Sequence, residues 1–214
     1  RLDAAMLRQL SRDVRAIATY SVGYDHIDIQ AANVLGLPVF HTPDVLSEAV
    51  AETALLLILS ASRDASSSER LLRRGAWGPW SPTLFMGRQL TGRRLGIFGL
   101  GRIGRAIAAR ARPFGIEIHY HNRSRLQNED GLRYHDTLES LLSVSDILCA
   151  AAPSTSETRG ALDRRRLALL PRGAVFVNIA RGDLVEEDAL IEAVESGQIG
   201  ALGLDVYQNE PHLD

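Results

Sequence analysis

Apolar positions along the chain recur in two rhythms. Short runs that are apolar on both faces, such as "RLGIFGL", "DILCAAA" and "AVFVNIA", alternate with longer stretches in which apolar residues return every three or four positions. The first rhythm predicts buried strands and the second predicts helices with one apolar stripe. In chain order the pattern predicts strand "VRAIATY", a short helix in "HIDIQAANVLG" closed by Gly36, and strand "LPVFHT". A helix then runs from about Ser47 to Arg74 and stops at Gly75, before a loose Trp-, Gly- and Pro-rich stretch, "GAWGPWSPTLFMG". After it the alternation is regular. Strand "RLGIFGL", helix "RIGRAIAARARPFG" and strand "IEIHYH" are followed by helix "TLESLLSVS" and strand "DILCAAA". Helix "DRRRLALLP", strand "AVFVNIA", helix "EEDALIEAVESG" and strand "IGALGLDVY" complete the series. Strands apolar on both faces and separated by helices imply an α/β protein with a parallel, doubly wound sheet.

One turn carries chemistry. "GLGRIG" spaces Gly99, Gly101 and Gly104 as G-x-G-x-x-G, directly after a predicted strand and opening a predicted helix. In that Rossmann-type context the first glycine permits a tight turn and the second lets a pyrophosphate approach the backbone. The third lets helix and strand pack closely, and the helix N-terminus faces the anion. Ala106, Ala108 and Ala109 suit a helix pressed onto a sheet. The next strand ends in "HYHNRSR", with Asn122 where an NAD site carries the acid that binds the ribose hydroxyls. Arg123, Ser124 and Arg125 follow, two guanidiniums and a hydroxyl suited to a 2′-phosphate. The expectation is NADP(H) ahead of NAD(H); a solvated basic turn is the plain alternative.

Composition narrows the chemistry. The chain has 214 residues, is 45% hydrophobic and has a formal net charge of −2. That balance gives no footprint for nucleic acid or an anionic membrane. The longest apolar run, "ALLLILSA", is too short to span a bilayer. All 24 basic residues are arginine, which excludes Schiff-base chemistry and a Walker-type phosphate loop. The single Cys149, in an apolar run, reads as a core thiol and points to a reducing, cytoplasmic compartment. No grouping suggests a metal site.

Four ordered segments resemble the D-isomer-specific 2-hydroxyacid dehydrogenases. "IATYSVGYDHIDIQAA" is similar to the family's substrate loop and "TPDVLSEAVAETALLLILSASR" to its interdomain helix. "GRRLGIFGLGRIGRAIAARARPFG" resembles its cofactor signature and "VNIARGDLVEEDALIEAVESGQIGALGLDVYQNEP" its catalytic segment. The "HYHNRSR" turn looks most like the NADPH-using glyoxylate and hydroxypyruvate reductases. The resemblance implies a partial flavodoxin-like substrate domain over residues 1–43 and a dinucleotide-binding domain over 44–214. It implies reduction of a small 2-keto acid to the D-2-hydroxy acid.

The resemblance also implies roles. Arg181 would hold the substrate carboxylate and carbonyl, and Glu210 would pair with a catalytic histidine. Val22 and Gly23 would bind the substrate carboxylate through backbone amides. Arg102, Ile103, Pro153, Thr158, Ile179, Ala180 and Asp205 would contact the cofactor, although Asp205 reads equally as a buried cap. The family's catalytic histidine lies in a Pro-His motif past the position of Glu210, outside these 214 residues. His212 stands in the wrong motif for it. The expected first strands and closing helix of the substrate domain are likewise not in this sequence, so it reads as part of a longer protein or as a cofactor-binding remnant. The long helix and the Trp77/Trp80 arm suggest a homodimer. A dinucleotide-sensing corepressor is the alternative from another class, while a hydrolase of the adenosylhomocysteine type fits the arginine-only composition and "NIARGD" poorly.

Overall fold

Two aspartates open the first helices. Asp3 accepts a hydrogen bond from the Met6 amide at 2.9 Å and starts α1 (Ala4–Arg8). After strand β1 (Ile17–Ala18), Asp28 does the same for the Ala31 amide and starts α2 (Ile29–Val34). Each cap satisfies an amide that has no partner within its helix. Strand β2 (Val39–Phe40) pairs in parallel with β1, and Leu7, Ile17, Ile27 and Ala32 form a small core. These elements make up one of two units in the computed structural model, which describes residues 1–10 and 13–211. The units are Arg1–Glu48 and Ala49–Asp214, a boundary a few residues beyond the expected residue 43.

The helix expected from Ser47 to Arg74 is broken. α3 (Ser47–Ser62) ends, Asp64 takes a left-handed conformation at φ 53°, and α4 (Ala65–Arg73) follows. Periodicity runs through the break, but the serine-rich "DASSSER" has little helix propensity to resist it. α3 buries Ala51, Ala54, Leu55 and Ile58, whereas α4 buries nothing.

The second unit then builds its sheet. β3 (Arg94–Phe98) leads through α5 (Arg102–Ala111) to β4 (Glu117–His121) and β5 (Arg133–His135). α6 (Leu138–Leu142) precedes β6 (Ile147–Ala150), and α7 (Arg164–Leu167) precedes β7 (Ala174–Asn178). α8 (Glu187–Glu195) precedes β8 (Ile199–Leu204). All six strands are parallel, in the order β5-β4-β3-β6-β7-β8. This is the dinucleotide-fold order, and it reverses between β3 and β6. The pattern missed β5 because "RYH" is a short, polar edge strand with no apolar run to mark it.

Alternate strand residues enter opposite cores. Leu95, Ile97, Cys149, Val175 and Val177 pack with Ile58 and Ile107 on one face. Phe98, Leu148, Ala150 and Phe176 pack with Leu141, Leu184 and Leu190 on the other. Ala108 is buried against the sheet, Ala106 is half-buried and Ala109 is exposed. Burial pushes the Cys149 thiol up to about 12, which makes it inert core. Among the described residues no helix is long and apolar enough to cross a membrane, and no cluster of side chains forms a metal site.

The β4–β5 edge carries a histidine pair. His119 Nδ1 lies 2.9 Å from His135 Nε2, and His119 Nε2 is buried 3.7 Å from Glu117, too far to hydrogen-bond. Burial, then the charges of His135 and Arg133, hold His119 below its ordinary value of 6.5, and burial likewise lowers His135. The unfolded chain therefore binds protons that the folded chain refuses. Stability is full above the ordinary imidazole range and falls as pH drops through 6.5 and below. Urea midpoints between pH 7.5 and 5.5 should decline, and His119→Gln should flatten that decline; an unchanged slope would show that the pair does not titrate with folding.

Candidate active site

The cofactor turn begins where β3 ends. Gly99 has φ +100°, and a Cβ there would lie 2.5 Å from the Ala152 amide nitrogen. A Cβ on Gly104 would lie 2.4 Å from the Gly99 carbonyl oxygen, so α5 reaches the strand only because both residues lack one. Gly101, before the first turn of α5, has nothing within 4 Å of its would-be Cβ, and no side chain caps the helix. The first-turn amides and the positive helix end are thus left for an anion. A positive φ, open space and a close helix approach thus fall to the three glycines separately.

The turn lies beside a cleft of about 500 Å³ at the point where strand order reverses. Its walls are the glycine turn, His121 to Ser124 after β4, and Ala151 to Thr158 after β6. Asn122 does more than replace an acid. Its Oδ1 accepts the Leu100 amide at 2.6 Å and ties the end of β4 to the glycine turn. Arg123 and Ser124 are exposed at the cleft wall, and Arg123 makes no ion pair among the described residues. Thr158 Oγ1 donates to the Pro153 carbonyl at 2.6 Å and accepts the Thr155 amide at 2.8 Å, which closes the opposite wall on itself. Arg102 and Ile103 form the first turn of α5, exposed and half-buried respectively.

Arg125 stands apart. Its guanidinium makes a bidentate pair with Glu129 at 3.0 and 2.7 Å and sits 5.6 Å over the Tyr134 ring. Glu129 also accepts the Tyr120 hydroxyl at 2.6 Å. The Arg125 hydrogen bonds, then that of Tyr120, hold Glu129 below the usual carboxylate range. His121 stacks on Phe98 and bonds through Nδ1 to the His135 carbonyl.

The second group of expected residues sits at the ends of β7 and β8. Buried Asn178, which closes β7, donates from Nδ2 to the Arg181 carbonyl at 2.9 Å and accepts the Ala180 amide at 3.1 Å. It folds the segment that presents Arg181, whose guanidinium donates to the Ala180 carbonyl at 2.7 Å. The Asn178 carbonyl accepts the Asp205 amide at 3.0 Å, and Asp205 is exposed rather than a buried cap. Ile179 is buried in the core, so any ligand contact there runs through backbone. Glu210 is exposed and its carboxylate accepts the Tyr207 amide at 2.5 Å. His212 lies outside the described residues. Val22 and Gly23 belong to the first unit, where the Val22 carbonyl meets His41 Nδ1 at 3.0 Å and the Gly23 carbonyl accepts the Ser21 hydroxyl at 2.8 Å.

Sequence reasoning passed over Asn178 and Asp183. Asn178 was signalled by a polar residue ending the otherwise apolar "AVFVN". Asp183 had no such signal: its Oδ2 accepts Ser154 Oγ at 2.8 Å and Arg159 Nε at 3.1 Å, tying the cleft wall to the Arg181 turn across distant sequence.

Comparisons with known proteins bear on the family and the fold. Residues 55–214 match the profile of the D-isomer specific 2-hydroxyacid dehydrogenase NAD binding domain. The chain is 38% identical over 213 residues to a glycerate dehydrogenase of Hyphomicrobium methylovorum, covering 98% of this chain and 66% of that protein. It is 41% identical over 221 residues to a glyoxylate reductase of Thermococcus kodakarensis, covering 100% and 66%. The crystal structure of a glyoxylate reductase from Paecilomyes thermophila superposes with a TM-score of 0.93 at 38% identity, covering 100% of this chain and 64% of that one. The chain thus spans about two thirds of the length of the curated relatives it matches.

Asn178 is the residue on which the Arg181 turn depends. Asn178→Ala leaves the half-buried Ala180 amide and Arg181 carbonyl without their partner and should cost about 1–3 kcal/mol in urea unfolding; a loss well below that range would mean the turn holds without it.

Proposed function

The chain belongs to the D-isomer-specific 2-hydroxyacid dehydrogenase family, and on that premise we propose that it reduces a small 2-keto acid of the glyoxylate or hydroxypyruvate type to the D-2-hydroxy acid, with NADPH preferred to NADH. The observation that carries the reading is the placement of Arg181 just after β7, at the same C-terminal edge of the sheet as the glycine turn after β3 and two strands from it. A nicotinamide dinucleotide fits that turn: Gly101 leaves open space, the α5 amides are uncapped and the cleft is long enough to be walled by three loops. When bound, it supplies the hydride.

The chain's own residues do the rest. Arg181 pairs with the substrate carboxylate and polarises the carbonyl oxygen as negative charge develops there. Val22 and Gly23, in the first unit, are the proposed backbone donors to a substrate carboxylate. Glu210 holds a proton-donating histidine, contributed from outside residues 1–214, in its charged form. Asp205, Ile179 and Ala180 border the nicotinamide, and Pro153 and Thr158 the adenosine side.

NADPH is favoured because the Asn122–Arg125 turn after β4 holds no carboxylate to repel a 2′-phosphate, while Arg123 and Ser124 stand at the cleft wall. Arg125 is the weaker contributor, since Glu129 already holds it. A second copy of the chain is the proposed partner: exposed Leu72, Trp77, Trp80 and Leu84 surround an apolar groove of about 300 Å³. The reading places the enzyme in the cytoplasm, in keeping with its one buried thiol.

Oxidation of NADPH with hydroxypyruvate or glyoxylate, with NADH in parallel, tests the proposal on the full-length protein. Turnover with a clear NADPH preference is expected; a preference for NADH overturns the cofactor reading. Arg181→Gln should lower kcat/KM by about 100-fold or more, because it removes charge stabilisation of the forming alkoxide. Arg123→Ala should raise the KM for NADPH about tenfold and leave that for NADH unchanged. Glu129→Gln should loosen Arg125 and lower the KM for NADPH, and an unchanged KM would show that Arg125 never reaches the phosphate.

A further inference from the structure

A second basic site lies at the end of the sheet opposite the cofactor cleft. The N-terminal ends of β6 and β7, the last residue of α3 and the segment before β3 enclose a cavity of about 50 Å³. Three arginines line it, Arg88, Arg93 and Arg172. None of the three forms an ion pair among the described residues; Arg172 gives one N–H to the Ser196 carbonyl at 2.7 Å. The only carboxylate in the lining is Asp146, and Arg94 already neutralises it through its backbone amide at 3.0 Å and its guanidinium at 3.1 and 3.2 Å. The Arg88 guanidinium is seated over two glycines. A Cβ on Gly173 or Gly200 would come within 2.9 or 2.5 Å of its terminal nitrogen. The Arg88 amide in turn donates to the Ser62 carbonyl at 2.7 Å. Ser62 itself is 3% exposed, and its hydroxyl has no hydrogen-bond partner. A buried hydroxyl left unmade is rare in a folded protein and asks for a partner.

We infer that this cavity binds inorganic phosphate or an equivalent tetrahedral oxyanion. Arg88, Arg93 and Arg172 supply the charge, and the Ser62 hydroxyl supplies a hydrogen bond. Guanidinium forks match the oxygens of such an ion. Three arginines against one neutralised carboxylate suit a dianion better than a monoanion. The volume is several times what one water requires and leaves no room for an organic group beyond the ion. The site is separate from the cofactor turn, which lies at the other ends of the same strands.

An anion that binds only the folded chain raises its unfolding temperature. Thermal unfolding of the full chain in phosphate against chloride at matched ionic strength should show a rise of about 2 °C or more at saturation. The cofactor turn also attracts phosphate, so the scans are run with that turn filled by saturating NADPH, and variants assign the rise that remains. Arg93→Gln, at an exposed position, and Arg88→Gln should abolish the rise, Ser62→Ala should reduce it, and Arg123→Gln should leave it intact. No rise in the parent chain, a rise lost only in Arg123→Gln, or a rise that survives Arg93→Gln overturns the proposal. Should Arg88→Gln prove too unstable to measure, Arg93→Gln decides. Glycerol 3-phosphate in a parallel arm should give the smaller shift, and a larger one would overturn the assignment to the free ion.

Discussion

The contact between Gly104 and the Gly99 carbonyl sets everything around the candidate active site. With a would-be Cβ 2.4 Å from that oxygen, any side chain at position 104 would drive α5 off β3. The close approach brings the uncapped start of α5 to the end of a central strand, where the sheet order reverses. An anion at that spot meets open amides and the positive end of a helix without any lysine being needed. The arginine-only composition is therefore no obstacle to phosphate binding by this fold.

Two buried or half-buried asparagines extend that control to the strand ends on either side. Asn122 holds the tip of β4 to the glycine turn through its side-chain carbonyl. Asn178 folds the end of β7 so that the next residues carry Arg181 outward. An amide is suited to both places because one group donates and accepts and carries no charge to desolvate. Asp183 adds a third tie, between the wall after β6 and the Arg181 turn. The cleft is thus positioned by two neutral amides, one charged tie through Asp183 and backbone geometry, while Arg123 lies exposed at its wall.

The surface arginines divide by what already holds them. Arg94, Arg125 and Arg166 are bound to carboxylates, and Glu139, beside Arg166 and Arg165, is held down to about 2, with its own backbone amide the first cause. Arg123 at the cofactor cleft and Arg88 and Arg93 at the far end of the sheet have no such partner among the described residues. In a chain with one kind of permanent cation, the partner rather than the residue type separates structural charge from charge available to a ligand.

The alternation of apolar runs and helical periods was enough to read the five strands β3, β4, β6, β7 and β8 and the four helices between them, because burial on both faces of a parallel strand leaves no polar positions to disguise it. The glycine spacing likewise declared its turn, since each glycine answers a local steric demand. The helix break at Asp64 was hidden because the apolar period continues across it, and β5 because a polar edge strand has no burial signature. Asn122 was legible as a position but not as a tie, and Asp183 not at all, because its partners Ser154 and Arg159 are distant in sequence. Arg123 and Arg125 look alike along the chain. Only the folded β4–β5 edge, which brings Glu129, Tyr120 and Tyr134 to Arg125, engages one and leaves the other at the cleft. Local sterics and burial are written in consecutive residues; the pairing of charges and amides is decided by which strands the sheet sets side by side.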